Sequence, residues 1–527
     1  MDAQEKPRLL TKKTWVALAR PSWAIVVFIA LTLLALSWIQ TTPAGPAGLV
    51  NRPLSASDDA SIGSVDPRSC SGFYQPGRPR RVFSSIHEFG GVGDGTTSNT
   101  GAFRKAVEHL KAFSGDGGSQ LVVPTGRWLT GSFNLTSNFT LFLEQGAVIL
   151  GSQDPEEWPL VEPLPSYGRG RERSGARHIS LIHGDGLTDV VITGNNGSID
   201  GQGRRWWELW WNRTLMNTRG HLLELMNSNN ILISNLTFLN SPFWTIHPIY
   251  CSNVVIRNVT ILAPFHSPNT DGIDPDSSSE VCIEDCYVES GDDLVAVKSG
   301  WDQYGIATAR PSSNIIVQRI SGSTPTCSGI GFGSEMSGGI SNIVVRDLHV
   351  WNSASAVRLK TDKGRGGFIT NITVANVTID KVKIPIVFSR GANDHPDEGY
   401  DPNALPRVSK VYISNVFGLN VNRAPVLEGI EGAMYEEICI RNVSFRGIKP
   451  QDRWHCEFVF GETHGVFPEP CEQLRSNGSS SCCRHCQAHL PLHPIPGIML
   501  PHHLLLRQKL LLLLHIRHLH VRRCRHR

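Results

Sequence analysis

A short phrase of alternating aliphatic residues, opened by a polar residue, recurs through the chain and restricts its fold more than any other feature. Copies such as SNVVIRNVTI and SNIVVRDLHV begin at Asn229, Ser252, Ser279, Ser313, Ser341, Thr370, Ser409 and Glu436. From Ser252 onward, successive starts lie 27, 34, 28, 29, 39 and 27 residues apart. Repeats of about 20–50 residues are typical of solenoids, and alternation with period two indicates strands. Because each unit is too short for an antiparallel sheet of its own, we predict an all-β chain, a parallel β-helix.

Asparagine recurs at matching points of the repeat, which predicts ladders of side-chain amides along a turn. The unequal repeat lengths predict loops of unequal length on one face. Ten Asn-x-Ser/Thr sequences fit a glycoprotein in the secretory pathway. Those inside the repeat, such as Asn235, Asn258 and Asn376, also fit a structural role in the ladder.

The open end of a solenoid exposes unpaired backbone and needs a cap. An amphipathic helix that begins at Ser98–Thr100 and ends at Gly115 is the candidate. Its apolar residues follow helical spacing, at Phe103, Ala106, Val107 and Leu110. We therefore expect this helix to cover the first coil.

Charge is distributed unevenly along the chain. The first 40 residues carry five basic and two acidic residues, and residues 476–527 carry eight basic and no acidic ones. The remainder, 41–475, has 37 basic and 45 acidic residues, a net charge of −8. Nucleic-acid binding requires a basic surface, so the acidic body argues against a nucleic-acid partner. We expect a monomer.

Both ends of the chain differ from the body. Residues 1–22 are basic, and residues 23–39 are an uncharged run of 17 residues, which predicts a membrane anchor with a lumenal body or a cleaved signal peptide. Residues 40–80 are predicted to be a linker, and 81–475 the β-helix domain. Residues 476–527, rich in His and Leu without a period, are predicted to be disordered and resemble an aberrant gene end more than a membrane-associating tail. Either reading of the 17-residue run places the domain outside the cell, in the cell wall, or on the lumenal side of a membrane.

Cysteine usage fits an oxidising compartment. Cys282, Cys286, Cys439, Cys456 and Cys471 are candidates for disulfides, without a readable connectivity. No CxxC has a matching CxxC or HxxxH, which argues against a zinc site.

Carboxylates crowd into two short segments. Asp271, Asp274 and Asp276 lie in NTDGIDPD, and Asp292 and Asp293 in SGDD. Asp271 and Asp292 are 21 residues apart, close to one coil, so both should lie on one face of adjacent turns. Crowding separates carboxyl pKa values, as acid and base catalysis of glycoside hydrolysis requires. A Ca²⁺ site or a ladder of turn residues is the alternative.

Two cations follow downstream in VRLK. Arg358 and Lys360 alternate by two on one strand and therefore face the same side. Beside an acidic cluster they could bind a substrate carboxylate. Taken alone, a surface ion pair with Asp362 is the simpler interpretation.

The ordered set NTDG, GDD and RLK on a β-helical repeat resembles glycoside hydrolase family 28, the polygalacturonases and their relatives. The resemblance extends from Arg81 to Gln473, and NSPFWTIHP and GSEMSGGI are similar to its plant, exo-polygalacturonase-like branch. It implies a right-handed, pectin-lyase-like parallel β-helix that needs no metal or other cofactor.

Individual roles follow from the same resemblance. Asp292 would be the general acid, and Asp271 and Asp293 would hold and deprotonate the attacking water, with inversion. Arg358 and Lys360 would bind a galacturonate carboxylate near the cleaved bond.

Further substrate contacts are expected from Lys298, Asn269 and His266. The family's Gly-His-Gly is replaced by Cys327-Ser328-Gly329, so that Ser328 takes the histidine position. Loss of that histidine puts the rate, the pH optimum or the activity itself in doubt. His266 or His247 could substitute for it.

Aromatic residues divide into two groups. Four tryptophans, at 206, 207, 210 and 211, are predicted to be core or capping residues rather than a sugar platform. Trp301 and Tyr304 lie on a predicted loop of the active face, where sugar stacking and packing are equally compatible.

Three functions remain open from the sequence. The first is inverting hydrolysis of α-1,4-galacturonan in pectin, with long inserts at 286–312 and 380–408 hinting at exo action. The second is a neighbouring activity, as a rhamnogalacturonan or xylogalacturonan hydrolase or a Ca²⁺-dependent pectate lyase. The third is pectin binding without turnover.

Overall fold

A computed structural model describes residues 70–475, and these residues form the predicted parallel β-helix. Its larger sheet, sheet 1, contains twenty strands within the described range. They are Val82–Ser85, Ser119–Val123, Gly126–Thr130, Phe139–Leu143, Ala147–Gly151, Thr188–Gly194, Ser198–Asp200, Asn229–Ser234, Thr237–Leu239, Ser252–Arg257, Thr260–Leu262, Ser279–Glu284, Tyr287–Glu289, Ser312–Gln318, Ser321–Ser323, Ile340–Ser353, Phe368–Val382, Arg407–Leu419, Tyr435–Phe445 and Val459–Phe467.

A second sheet, sheet 2, has two parts. The first part comprises Phe133–Asn134, Ile182–Asp185, Leu223–Met226 and Ile246–Ile249. The second comprises Val295–Val297, Ser328–Phe332, Ser355–Lys360, Ile386–Ser389, Val426–Glu428 and His455–Glu457. Ile273 pairs with both Ile246 and Val295, and therefore joins the two parts. The acidic segment 269–276 is thus one rung of sheet 2. Leu160–Val161 and Arg177–His178 form a separate antiparallel pair.

The repeat's alternation places one aliphatic column inside the solenoid. The column runs through Val254, Val281, Ile315, Ile343, Ile372, Val411 and Ile438, all buried. Burying one such side chain stabilises the fold by about 1.5–3 kcal/mol relative to exposure. A one-residue slip would expose the whole column, so the alternation also fixes the register.

Two amide ladders run along the turns, as the recurring asparagines predict. In one, Asn442 donates to Asn415, Asn415 to Asn376 and Asn376 to Asp347, over 2.8, 3.1 and 3.0 Å. In the other, Asn371 donates to Asn342 and Asn342 to Asn314. These asparagines have positive φ, a conformation that Asn tolerates better than most residues.

Both ends of the solenoid are covered. Helix α1, Thr100–Lys111, caps the first coil with the predicted apolar face, and Phe103 stacks on Phe133 at 4.6 Å. At the other end, residues 471–475 fold back and Thr463 donates to the Leu474 carbonyl. The remaining helices are α2, Arg204–Trp211, and α3, Asp302–Thr308, with short 3₁₀ turns at Cys70–Gly72, Ile86–Phe89, Pro155–Glu157 and Glu472–Leu474.

The last eleven residues of the predicted linker, 70–80, pack against sheet 1. Cys70 is disulfide-bonded to Cys282, and Arg80 forms an ion pair with Asp189 at 2.7 Å. Cys456 is bonded to Cys471, whereas Cys286 is a buried free thiol. The predicted segments 1–22, 23–39 and 476–527 lie outside the described residues. Between residues 70 and 475, no helix has the length and apolar character needed to span a bilayer.

Candidate active site

A cleft of about 670 Å³ opens on the outer face of sheet 2. The residues that line it come from successive rungs, from Trp244 through Asp271 and Lys298 to Lys360. The cleft therefore extends along the solenoid axis. Its size is typical of small-ligand sites, and most of its lining is polar.

Four aspartates form a carboxylate cluster at the cleft: Asp271, Asp274, Asp292 and Asp293. Asp271 and Asp293 occupy equivalent positions on adjacent rungs, because Ile273 pairs with Val295 two residues later. Three of the four are buried and Asp292 is half-buried. The 21-residue spacing predicted this juxtaposition.

Asp293 is held as a carboxylate by two neighbours. Lys360 donates to its Oδ2 at 2.6 Å, and Ser328 donates to Oδ1 through both its backbone N–H, at 2.8 Å, and its hydroxyl. Burial alone would raise the pKa of Asp293, but Lys360 and Ser328 bring it below the ordinary value. A Cβ at Gly331 would lie 2.7 Å from Asp293 Oδ2, so the intervening rung needs glycine there.

Asp271 and Asp274 have the opposite tendency. Burial, then repulsion from Asp292, raises the pKa of Asp271 to about 7. Burial and Asp271 raise the pKa of Asp274 well above its ordinary value. Lys298 lies 3.6 Å from Asp271 and 3.7 Å from Asp274 but is shared with Glu335 at 3.2 Å. The crowded carboxyl groups therefore have widely separated pKa values, as the sequence predicts.

Asp292 is oriented by a buried relay. Asn269 donates to its Oδ2 at 3.3 Å, and Arg219 donates to the Asn269 carbonyl at 3.2 Å. Arg219 is fully buried and paired with Glu172 at 2.5 Å. Because Arg219 occupies the amide oxygen, the amide nitrogen must face Asp292. Asn269 thus contacts the carboxylate cluster directly, and in this position it can also reach a substrate.

Arg358 and Lys360 lie on the same face of Ser355–Lys360, as predicted. Lys360 pairs with Asp293 rather than Asp362. Arg358 Nε is buried and has no hydrogen-bond partner in residues 70–475. The guanidinium is therefore available to an anion.

Neither histidine proposed as a substitute for the family's histidine contacts the carboxylate cluster. His266 is exposed and stacks on Trp211 with ring centroids 5.7 Å apart. His247 is fully buried between Glu224, at 3.0 Å, and Asp276, at 3.4 Å. The side chain that contacts Asp293 at this point is Ser328 itself.

Three long loops form a wall along the cleft. This loop wall consists of residues 163–175, 301–308 and 390–405. Arg171 pairs with Glu335 and Asp394 at 2.6 and 2.5 Å, and the buried Arg365 pairs with Asp302 and Asp394 at 2.5 and 2.7 Å. The two predicted inserts meet here, where Tyr304 donates to Asp397 at 2.7 Å.

Two clusters in the described residues have ligand spacing suitable for a metal. His221, Glu224 and His247 are buried with ligand atoms within 4.8 Å, but Glu224 is already paired with Arg177 at 2.7 Å. Asp292, Asp293 and Cys327 form the other, and Lys360 lies against Asp293 there. A cation would have to displace a positive side chain at either place.

Several cleft residues were not predicted from the sequence. Arg171, Glu172, Glu335, Asp394 and His395 line the cleft. Glu335 lies in GSEMSGGI, a segment quoted only for its resemblance, and the others lie in loops without periodicity. Among the aromatic residues, Trp206 and Trp207 are buried as predicted, while Trp210 and Trp301 line the cleft.

The raised pKa of Asp271 leads to a prediction about stability. Its folded pKa of about 7 lies above the ordinary value of 3.8, so the folded state binds the extra proton between these pH values. Stability should therefore fall as pH rises through this window. We expect Asp271→Asn to be more stable than the unsubstituted protein at pH 8, on the order of 2 kcal/mol, and to lose activity.

Denaturant unfolding at pH 4 and pH 8 measures this difference. Glu431→Gln, at an exposed glutamate, is the matched control and should show no such trend. Equal stability gains at both pH values would contradict the assignment.

Comparisons with known proteins agree with these features. The sequence profile of the glycosyl hydrolases family 28 matches residues 118–464. The chain is 47% identical over 416 residues to a probable polygalacturonase from Vitis vinifera, covering 78% of this chain and 85% of that one. It is 29% identical to an endo-polygalacturonase from Pectobacterium parmentieri, over 60% and 77% of the two chains.

Solved structures share the fold. An exopolygalacturonase from Thermotoga maritima superimposes with a TM-score of 0.66 at 28% identity, over 75% of this chain and 94% of that one. A polygalacturonase from Erwinia carotovora superimposes with a TM-score of 0.55 at 23% identity, over 73% and 97%, which shows the fold alone.

Proposed function

Because the chain belongs to the glycosyl hydrolases family 28, we propose that it hydrolyses α-1,4-galacturonosidic bonds of pectin with inversion, from chain ends. Family membership makes it a glycoside hydrolase of the polygalacturonase family. The observation that carries the finer assignment is the carboxylate cluster with its separated pKa values, which faces a cleft next to the unpaired Arg358.

In the reaction, Asp292 donates its proton to the glycosidic oxygen as the bond from the sugar carbon to that oxygen breaks. Water adds to the same carbon, and its proton passes to Asp271 or Asp293. Asp293, kept ionised by Lys360 and Ser328, suits the role of base. Asp271 with its raised pKa is the alternative proton donor, and kinetics must distinguish it from Asp292.

Substrate binding requires a local cation because the described body is acidic overall. Lys360 is committed to Asp293, whereas Arg358 has a free Nε beside it. A guanidinium can hold a carboxylate through two parallel hydrogen bonds. We assign Arg358 to the galacturonate carboxylate and Lys360 to a bridging position between substrate and Asp293.

Exo action rests on the loop wall. Its buried ion pairs hold three loops together beside the carboxylate cluster, and such a rigid wall can stop a polymer from passing through the cleft. The likeness to the exopolygalacturonase of Thermotoga maritima supports the same mode.

We place the protein in the secretory pathway. The two disulfides of the described residues are typical of an oxidising compartment. The apolar run at 23–39 is consistent with this placement.

Release of reducing ends from polygalacturonate tests the function. We expect galacturonate monomer with no ultraviolet absorbance and no effect of a chelator. Unsaturated ends that disappear with chelator would indicate a lyase instead. Binding of polygalacturonate without any product after long incubation would indicate a protein that has lost turnover.

A further inference from the structure

A second cation lies at the opposite side of the carboxylate cluster from Arg358. Arg213 follows helix α2, lines the cleft and is exposed. Its guanidinium carbon is 5.3 Å from the ring centre of Trp210. In residues 70–475 this guanidinium has no ion pair and no hydrogen bond, so its charge is not neutralised.

The position of Arg213 along the cleft follows from the strand order. Its loop leads into Leu223–Met226, which lies two rungs before the rung of Asp271. With rungs about 4.8 Å apart, that is roughly 10 Å along the axis. Arg358 lies three rungs after Asp271. Cations therefore flank the carboxylate cluster on both sides, as a substrate with one carboxylate per sugar would require.

Exposed aromatic side chains extend the same rim. Trp211 is 40% exposed and its ring stacks on His266, 5.7 Å away at 23°. Phe265 beside it is 38% exposed. Sugar rings pack on such flat aromatic surfaces while a neighbouring cation binds their carboxylates. The prediction that Trp210 and Trp211 are core residues is wrong for this pair.

The backbone of Arg213 is strained. Its φ is +60°, where the helix ends with Arg213 N–H donating to the Trp210 carbonyl. Glycine is the usual residue at this position, and arginine costs stability there. No contact of the guanidinium in the described residues offsets this cost. Strain of this kind is found where a side chain serves binding.

We propose that Arg213, Trp210, Trp211 and His266 form an additional subsite for galacturonate residues distant from the cleaved bond. The inference rests on the proposed function and assigns His266 to substrate stacking. Arg213 would bind a sugar carboxylate while the aromatic rings support the sugar faces.

The test is binding of oligogalacturonates to Asp292→Asn protein, measured by calorimetry. We expect Arg213→Gly to weaken binding of a pentamer about tenfold, with no change for a dimer. The same substitution should raise Tm, because it removes strain. Arg204→Ala, an exposed arginine on the same helix but outside the cleft lining, should change neither affinity.

Unchanged pentamer affinity in Arg213→Gly would overturn the subsite. A tenfold loss that persists with a fully methyl-esterified pentamer would also overturn it, because no carboxylate would then be recognised. If neither oligomer binds and the unsubstituted protein releases no product, the proposed function itself fails.

Discussion

Asp292→Asn should lower kcat/KM on polygalacturonate about 10³-fold, because an amide cannot donate a proton to the departing oxygen. The side chain is half-buried and held by Asn269 and by the Asp293 backbone N–H, so the isosteric amide should leave the fold intact. Reducing-end assays with the full chain measure the loss. Asp185→Asn, at an exposed aspartate outside the cleft lining, should retain full activity.

A substrate with a good leaving group identifies the acid. On a nitrophenyl galacturonide, Asp292→Asn should recover most of its rate, because that leaving group needs no proton. Asp271→Asn should stay inactive, because it removes a group that activates water. The reverse pattern would make Asp271 the acid, in agreement with its raised pKa, and would overturn the role of Asp292.

Arg365→Met should destabilise the protein by about 3 kcal/mol, since it leaves Asp302 buried without its guanidinium. Both side chains of this pair are fully buried, and Arg365 also holds Asp394 of the loop wall. Loss of the arginine should loosen the wall and admit polymer chains. We therefore expect internal cleavage, seen as a faster fall in viscosity for each reducing end released.

Arg390→Met is the matched control. Arg390 pairs with Glu457 at 2.5 Å, but both side chains are well exposed, at 38% and 40%. Its removal should cost no more than about 1 kcal/mol and leave the product profile unchanged. Monomer-only release by an equally stable Arg365→Met protein would contradict the role of the wall.

The fold could be predicted because each coil carries the same local pattern. Alternating aliphatics fix the inward column, and asparagines tolerate the positive φ of each turn, so one repeat determines the next. The carboxylate cluster was predictable for the same reason, since regular coils stack Asp271 on Asp293. Contacts made by the loops were not. Arg171 and Asp394 are more than 200 residues apart, and nothing periodic relates them.

Two features of the site depend on packing rather than on motif. The sequence suggests Lys298 as a substrate contact, yet its charge is shared among Asp271, Asp274 and Glu335. It also leaves open what replaces the family's histidine, and in the structure Ser328 binds Asp293 directly. Such assignments require knowledge of which charged groups are already paired.

The anomeric configuration of the first product tests the central claim most directly. In most glycosidases, carboxyl groups about 5 Å apart indicate retention and those about 6.5–9.5 Å apart indicate inversion. Oxygens of Asp292 and Asp293 lie within 4.8 Å of each other, so retention through Asp293 as nucleophile is a real alternative. Proton NMR during early hydrolysis of polygalacturonate by the full chain distinguishes the two. We expect β-galacturonate monomer to appear first, and initial release of the α-anomer or of mixed oligomers would contradict an inverting exo hydrolase.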